Sequence, residues 1–521
     1  MQSDLRKALL LEFVSSESDR SSEKRRKSGS NLYGDGSRDS RMATVNVEKF
    51  VSDFALELAE QNVAIFAGAG LSVPAGFVDW KGLLRPLAVE LGLDVEREHD
   101  LVRLAQYNVN HHGSNRNDLT QAILNGFSRK EAQITENHRI LARLPISTYW
   151  TTNYDACIET SLSESGKRPD VKHAPSQLLQ TLHGRDATVY KMHGDYQDAA
   201  HAVLCKEDYE RYHVERADFL TALAGDLLSK TFLFIGFSFS DPNLDYVLGR
   251  MYTRHGRNQR KHYCFIRKES AHKDDKPGDL EYRLAKEDLF IHDLSRYNIR
   301  AVMVNEYHEI TEILRAIESR HKSHTVFVSG AAYDYGSRFS SADALSFVHR
   351  LSSGLVENDF RIVTGLGVGI GSTVVDGALH QIYHVQRRSL TDQLVFRPFP
   401  QSPTGKALWT AYRNDMLDFA GLALFMFGNK LEGAPSSIVN SNGMVEEFDI
   451  AYKKGVRVLP LGFTEFVSRD LYERVKGSFG SYYPKSTPTF KQYFDLLGDS
   501  SRTLDEQLKT TIGALLELRK M

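Results

Sequence analysis

Four short runs in this chain combine residue types that bind phosphate or move protons, and each follows an apolar stretch. The first is Gly68-Ala69-Gly70-Leu71-Ser72, directly after Val63–Ala67. Glycines at the end of a strand let backbone N–H groups approach a phosphate, and the dipole of a following helix adds to the attraction. The spacing is GxGxS, not GxGxxG, because Val73 stands at the last glycine position. Alone, it fits a tight strand-to-helix turn equally well. The second run is Thr151-Thr152-Asn153-Tyr154-Asp155 and the third is Lys191-Met192-His193-Gly194-Asp195. The fourth is Gly236-Phe237-Ser238-Phe239-Ser240-Asp241-Pro242. An Asn such as Asn153 can hold a water or a hydroxyl, and a neutral His193 can accept a proton near pH 7. Taken singly, Asn153 suits a turn, His193 a buried donor and Gly236 another turn. Four such loops at successive strand ends call for a common cause, because open α/β sheets bind ligands at their carboxyl edge.

The elements that must position these loops are legible in the apolar pattern. Strands are predicted at Val63–Ala67, Ser147–Thr151, Thr188–Lys191, Phe232–Gly236, His262–Ile266 and Ile299–Val304. Helical periodicity fills the intervals, for example at Asp100–Asn108 and Glu207–Leu228. Apolar strands separated by helices predict a parallel sheet covered on both faces. The stretch Trp80–Leu144 is longer than an ordinary crossover, which predicts a helical insertion over the sheet and a candidate gate.

A second series begins near 323. Strands are predicted at Thr325–Ser329, Arg361–Thr364, Leu394–Phe396, Leu422–Phe427 and Val456–Leu461, with helices at Ser341–Glu357, Thr373–His384, Lys406–Phe419 and Val445–Lys454. The polar stretch Glu318–His324 reads as the linker between the halves. This half has its own candidate anion cradle, with Ser329 and Gly330 at one strand end and Gly365, Gly367, Gly369 and Gly371 at the next. Arg413 and Lys430 suit phosphate, the first as a bidentate fork and the second as a point charge. Glu446 and Glu447 open a helix, where a carboxylate either binds ribose hydroxyls or complements the helix dipole.

Bulk properties narrow the class. A chain of 521 residues, 41% hydrophobic, suits two or three separate cores rather than one. The net charge of −2 supplies no global field for nucleic acid or an acidic membrane, so neither is expected as a partner. Cys157, Cys205 and Cys264 form no CxxC pair, which excludes a four-cysteine zinc site and suggests a reducing compartment. No metal is expected. No apolar run approaches the roughly 18–20 residues that span a bilayer. Ala8–Val14 is short and broken by Glu12, so no signal peptide is expected and a cytoplasmic location is the default. Residues 1–44 read as a disordered or extraneous extension, with crowded serines and the basic run Lys24-Arg25-Arg26-Lys27. Met42 stands where ordered-looking sequence begins.

With these motifs in order, residues 45–320 resemble the sirtuin superfamily. GAGLS is similar to its phosphate motif, TTNYD to its TQN-type motif, KMHGD to its histidine-glycine motif and GFSFSD to its late glycine-serine loop. The resemblance implies an NAD+ site in a sirtuin-like Rossmann domain. It places Asn153 and His193 at the nicotinamide ribose as catalytic residues, and Gly68, Ala69, Gly70, Ser72, Asp155, Gly236 and Ser238 around the dinucleotide. Deacylating sirtuins carry a zinc ribbon that this chain lacks, which favours water as nucleophile and NAD+ hydrolysis. NAD-dependent protein deacylation, or a non-catalytic nucleotide-binding scaffold that oligomerises, are the alternatives. Residues 321–521 resemble the SLOG superfamily, a Rossmann-like fold. The PGGxGTxxE signature of its enzymes is replaced by Val439-Asn440-Ser441-Asn442-Gly443-Met444-Val445-Glu446-Glu447, which favours a sensor.

The two halves in this order resemble the effectors of Thoeris antiphage defence. That resemblance implies a signal, a cyclic ADP-ribose isomer made by a TIR-domain partner, bound by Ser329, Gly330, Gly367, Gly369, Arg413, Lys430, Glu446 and Glu447. It also implies a homo-oligomer, tetramer or filament, that depletes NAD+ and has no cofactor beyond that substrate.

Overall fold

The computed structural model describes residues 43–128, 133–256, 258–386, 393–400, 402–433 and 437–521. The expected extension, with Lys24–Lys27 and Met42, lies outside these residues except for its last two. Ala43 is buried and Thr44 bridges to Ala301, so both join the first domain.

The first domain is built on seven parallel strands. They are β1 (Val63–Ala67), β2 (Thr148–Thr151), β3 (Pro169–Lys172), β4 (Ala187–Lys191), β5 (Thr231–Ile235), β6 (His262–Arg267) and β7 (Ile299–Val304), in the order β3-β4-β2-β1-β5-β6-β7. Every residue of β1 and β5 is buried, as expected for central strands packed on both faces. One face packs Phe50, Phe54, Ile140 and Ile313 and the other Phe219, Leu223, Leu227 and Leu248. The chain proceeds one way from β1 and returns beyond it at β5. The switch in direction therefore opens a crevice above the ends of β1 and β5.

The helical insertion is present as Trp80–Glu90, Leu101–His111 and Asn117–Phe127, followed by Glu136–Arg143. The first three form their own cluster around Leu84, Leu104 and Ile123. That cluster also holds Tyr154, Cys157, Leu204 and Cys205, so the insertion packs on the segments that follow β2 and β4. The expected Glu207–Leu228 helix is two, Lys206–Glu215 and Ala217–Ser229. They part at Arg216, whose φ of −126° leaves the helix and whose guanidinium donates to the carbonyls of His173 and His201.

The second domain has five parallel strands and a hairpin. In chain order they are β8 (Thr325–Ala331), β9 (Arg361–Thr364), β10 (Leu394–Phe396), β11 (Leu422–Phe427), β12 (Asn429–Glu432), β13 (Ser437–Asn440) and β14 (Arg457–Pro460). The sheet order is β10-β9-β8-β11-β14, which puts its switch point between β8 and β11, while β12 and β13 pair separately and antiparallel.

The linker expectation is corrected. His308–Lys322 is one continuous helix, and only Ser323 and His324 separate it from β8. Its Ile310, Ile313, Leu314 and Ile317 enter the first core. The charges that looked like linker composition are engaged: Glu318 accepts from Arg143 at 2.8 and 2.9 Å and pairs with Lys322 at 3.0 Å. At the far end, Arg320 donates to the carbonyl of Arg519 in the second domain. The helix thus ties the domains together rather than spacing them.

Candidate functional site

The four chemistry-bearing loops meet above β1, β2, β4 and β5. Gly68 closes β1, and a four-residue helical turn, Ala69–Ser72, follows it. Gly236, at φ +63°, lies against this turn, and the amide of Gly70 donates to its carbonyl at 2.9 Å. A Cβ on Gly236 would stand 2.2 Å from the amide nitrogen of Leu71. No other residue fits both the turn and the contact.

Asn153 reaches the same turn from β2. Its Nδ2 donates to the carbonyl of Gly68 at 3.0 Å and to Ser72 Oγ at 3.1 Å. Thr151 steadies it from below: the hydroxyl donates to the Ala67 carbonyl and accepts from the Asn153 amide. Asp155 Oδ1 accepts from the Cys157 amide, and its Oδ2 is buried without a donor. An acceptor in that condition suits a ligand N–H.

Lys191, the last residue of β4, is fully buried, and its ammonium joins two of the loops. It donates to the carbonyls of Tyr154 and Asp155 at 3.1 and 2.7 Å, to Glu159 at 3.0 Å and to Asp195. Burial alone would push this amine down, but Glu159 and Asp195 outweigh it and hold it above its ordinary value. The lysine stays charged and clamps the Asn153 loop against the His193 loop. Sequence reasoning quoted Lys191 within a motif but gave it no role; a charged residue closing an apolar strand was the available signal.

His193 is 1% exposed and lies edge-on to the rings of Tyr209 and Tyr212. Its backbone carbonyl accepts from Val203, whose own carbonyl accepts from the Tyr154 hydroxyl. The side chain comes to 3.1 Å from Asp241, the residue that caps the helix Pro242–His255. In the sequence Asp241 is only part of the GFSFSD run, and its contact with His193 is the main feature that the sequence does not expose. Ser72, Asn153, Asp155, His193 and Asp241 are all buried, so the site is closed in this state. Ala69 and Gly70 are more open, while Ser238 is at an exposed loop tip, bonded to Ser240 rather than to the group.

The second switch point gathers a different set. Arg413, in the helix Trp409–Asp418, is buried under Phe399 and Trp409, with its guanidinium carbon 5.1 and 5.7 Å from the ring centres. Its NH1 donates to Glu446 at 2.8 Å and its Nε to Glu447 at 3.3 Å. Ser329, near the end of β8, donates to Glu447 at 2.5 Å. Burial pushes the Glu447 carboxyl up, and Ser329 and Arg413 only partly offset this. Both glutamates are therefore side-chain partners of the arginine group, and neither serves simply as a dipole partner.

Three residues expected there make other contacts. Lys430 is in β12 and pairs with Glu432 at 3.0 Å. Gly367 and Gly369 lie close against the chain after β8. A Cβ on Gly367 would meet the Gly330 carbonyl oxygen at 1.8 Å, and one on Gly369 the Ala332 carbonyl oxygen at 1.8 Å. They are glycine because two backbones touch. Asn429, which sequence reasoning missed, accepts from the amides of Tyr333 and Asp334 and anchors the loop after β8.

Among the described residues, one group could collect a cation, Glu90, His112 and Asp118, and it belongs to the helical insertion rather than to either switch point. Cys157, Cys205 and Cys264 are buried and unpaired. No helix among the described residues is long and apolar enough to cross a membrane.

Comparisons with known proteins agree with this layout. Residues 147–292 match the family model described as SIR2-like domain, and residues 309–518 match the Sir2- and TIR-associating SLOG family. The chain is 47% identical to NAD(+) hydrolase ThsA of Bacillus cereus (strain MSX-D12), covering 89% of this chain and 97% of that protein. It is 45% identical to NAD(+) hydrolase ThsA of Acinetobacter baumannii (strain 532279), over 87% of this chain and 94% of that one. A third relative, NAD(+) hydrolase ThsA of Cytobacillus dafuensis, is 44% identical over 92% of this chain and 98% of its own. The two-domain order, the nucleotide loops at the first switch point and identity along most of the chain have one reading: the protein belongs to the ThsA family of NAD(+) hydrolases.

Proposed function

We propose that this chain hydrolyses NAD+ to ADP-ribose and nicotinamide at the Asn153–His193 site, as an antiphage effector switched on by a cyclic ADP-ribose isomer at the SLOG domain. The observation that carries the reading is Asn153 bonded to the Gly68–Ser72 turn at the β1–β5 switch point, with Lys191 tying its loop to the His193 loop and His193 set against Asp241. The relatives named for NAD(+) hydrolysis support the same reaction.

The nicotinamide–ribose bond breaks through an oxocarbenium-like transition state with a leaving group that already carries positive charge. The protein has to hold the ribose, admit one water and stabilise the developing charge. Backbone amides of the Gly68–Ser72 turn suit the phosphates. Asp155 Oδ2, buried without a donor, suits the carboxamide N–H of nicotinamide. Asn153 and His193 act at the ribose and the water. The absence of a zinc ribbon supports water over an acyl-lysine as nucleophile.

Regulation follows from closure. The reacting side chains are buried beneath loops that share a core with the helical insertion, so NAD+ enters after those elements shift. The SLOG family match, described as Sir2- and TIR-associating, supports a nucleotide signal from a TIR-domain partner. Arg413, held by two carboxylates, is the cation that a phosphate-bearing ligand would capture, with Ser329 joined to it through Glu447; Gly330 and Lys430 would complete the ligand's contacts. Assembly into tetramers or filaments and a cytoplasmic site of action complete the proposal.

Product analysis tests it. NAD+ incubated with purified protein should yield nicotinamide and ADP-ribose in equal amounts once a cyclic ADP-ribose isomer is added. Ligand-driven assembly with no NAD+ consumed would instead identify a scaffold. Nicotinamide release that requires an acyl-lysine peptide would identify a deacylase.

A further inference from the structure

The His193 ring has two unlike nitrogens. Both are buried without a hydrogen bond in the protein, but Nε2 has a carboxylate beside it, Asp241 Oδ2 at 3.1 Å. A neutral imidazole carries one N–H and one lone pair, and an ionised carboxylate can only accept. A carboxylate beside Nε2 therefore keeps the proton there and leaves Nδ1 as the acceptor. We infer that Asp241 is a positioning residue that fixes the tautomer of His193, so that Nδ1 is the atom that takes the proton from the attacking water. This rests on the hydrolysis reading above. In the step itself, the water oxygen bonds to C1′ of the ribose as the C1′–N bond breaks. The electron pair of that bond goes to nicotinamide, which leaves neutral, and the water proton passes to Nδ1 and then to solvent.

The orientation of Asp241 has its own cause. Oδ1 accepts from the amides of Asn243 and Leu244 at 3.0 and 2.9 Å, capping the helix Pro242–His255. With one oxygen held by the helix, the other accepts from the Tyr209 hydroxyl at 3.5 Å and lies 3.1 Å from Nε2. Burial pushes the Asp241 carboxyl up, while His193 and the two amides outweigh that and hold it below its ordinary value, as the anion. In this closed state the Nε2 contact is at ion-pair distance without hydrogen-bond alignment. Such contacts often align only when substrate is bound.

The cap supplies the control. Asn caps helices about as well as Asp, so Asp241→Asn keeps the bonds to Asn243 and Leu244. Its amide then places a donor opposite Nε2, which turns Nε2 into the acceptor and puts the proton on Nδ1. Asp241→Asn should lower kcat by about 10²–10⁴-fold with KM changed less than about threefold and Tm unchanged. Full kcat in that variant overturns the inference while leaving NAD+ hydrolysis standing. A second measurement is independent of turnover and of the variant's folding. In protein labelled with ¹⁵N-histidine, long-range ¹H–¹⁵N correlations at pH 8 distinguish the two ring nitrogens, and His193→Gln identifies the His193 signals. The wild type should show the Nε2–H form. The Nδ1–H form would overturn the inference whether or not NAD+ is consumed. The Nε2–H form in a protein that never consumes NAD+ would sustain the tautomer and remove the hydrolysis reading alone.

Discussion

The two switch points have the same architecture and opposite chemistry. At the ends of the first sheet's strands, an amide is bonded to a hydroxyl and an imidazole stands against a carboxylate. Above β8 and β11, a buried guanidinium under two aromatic rings is held by two glutamates and a serine. The first set can move a proton and steady a developing cation. The second can trade two carboxylates for a phosphate, a change in partner that is well suited to a switch. On the proposed reading, a shared parallel-sheet fold gives a reacting centre in one domain and a recognising centre in the other.

The comparison breaks first at His193. If the imidazole moves the proton, His193→Gln should lower nicotinamide release by about 10³-fold while the nucleotide requirement of the second domain is unchanged. An equal rise in the activating concentration would show that the two centres are not separable in this way. Arg413→Ala comes next. Loss of a buried, paired cation should raise the activating nucleotide concentration by about 10²-fold, and a normal response in titration calorimetry would move the sensor elsewhere.

A smaller effect concerns packing. Gly236→Ala introduces a Cβ that collides with the Leu71 amide, so the Gly68–Ser72 turn must shift. We expect a loss of about 2 kcal/mol in denaturant unfolding together with weaker NAD+ binding. Unchanged NAD+ affinity would show that the turn is not the phosphate cradle.

A separate effect, on pH dependence, comes from one ring of the first domain and one of the joining helix. Burial pushes His262, the first residue of β6, down to about 3 and His321, in the helix that joins the domains, down to about 4. Both are neutral when folded but protonate in the unfolded chain near their ordinary value. Their contribution is intact above about pH 6.5 and is lost as pH falls toward 4 and below. Each unit of that interval is worth about 1.4 kcal/mol per group. Thermal midpoints should fall steadily between pH 6.5 and 4, and a flat profile would contradict the burial of these rings.

Much of the frame was legible in the sequence because buried parallel strands are continuous apolar runs. Val63–Ala67, Ile299–Val304 and Leu422–Phe427 have the bounds expected from their composition. What escaped was polar or long-range. β3 holds Pro169 and an Asp170–Lys172 ion pair at 2.8 Å, and so lacks the apolar signature of a strand. The β12–β13 hairpin is largely exposed, so its residues obey no burial pattern. The linker reading took charge for exposure, whereas Glu318 is buried against Arg143. At the site, residue types pointed to Asn153 and His193. Their restraints come from Lys191 and Asp241 across the sheet edge, and no local pattern encodes such contacts. In the second domain, the alternating glycines read as an anion cradle, and their spacing also serves a contact between two backbones that the sequence does not show.

The most direct test of the account is nicotinamide release by the wild type and by Asn153→Ala at equal concentration, both with an activating cyclic ADP-ribose isomer. The account predicts continued release by the wild type, matched one-to-one by ADP-ribose, and release by the variant at the level of a blank. Equal release by the two proteins would contradict it.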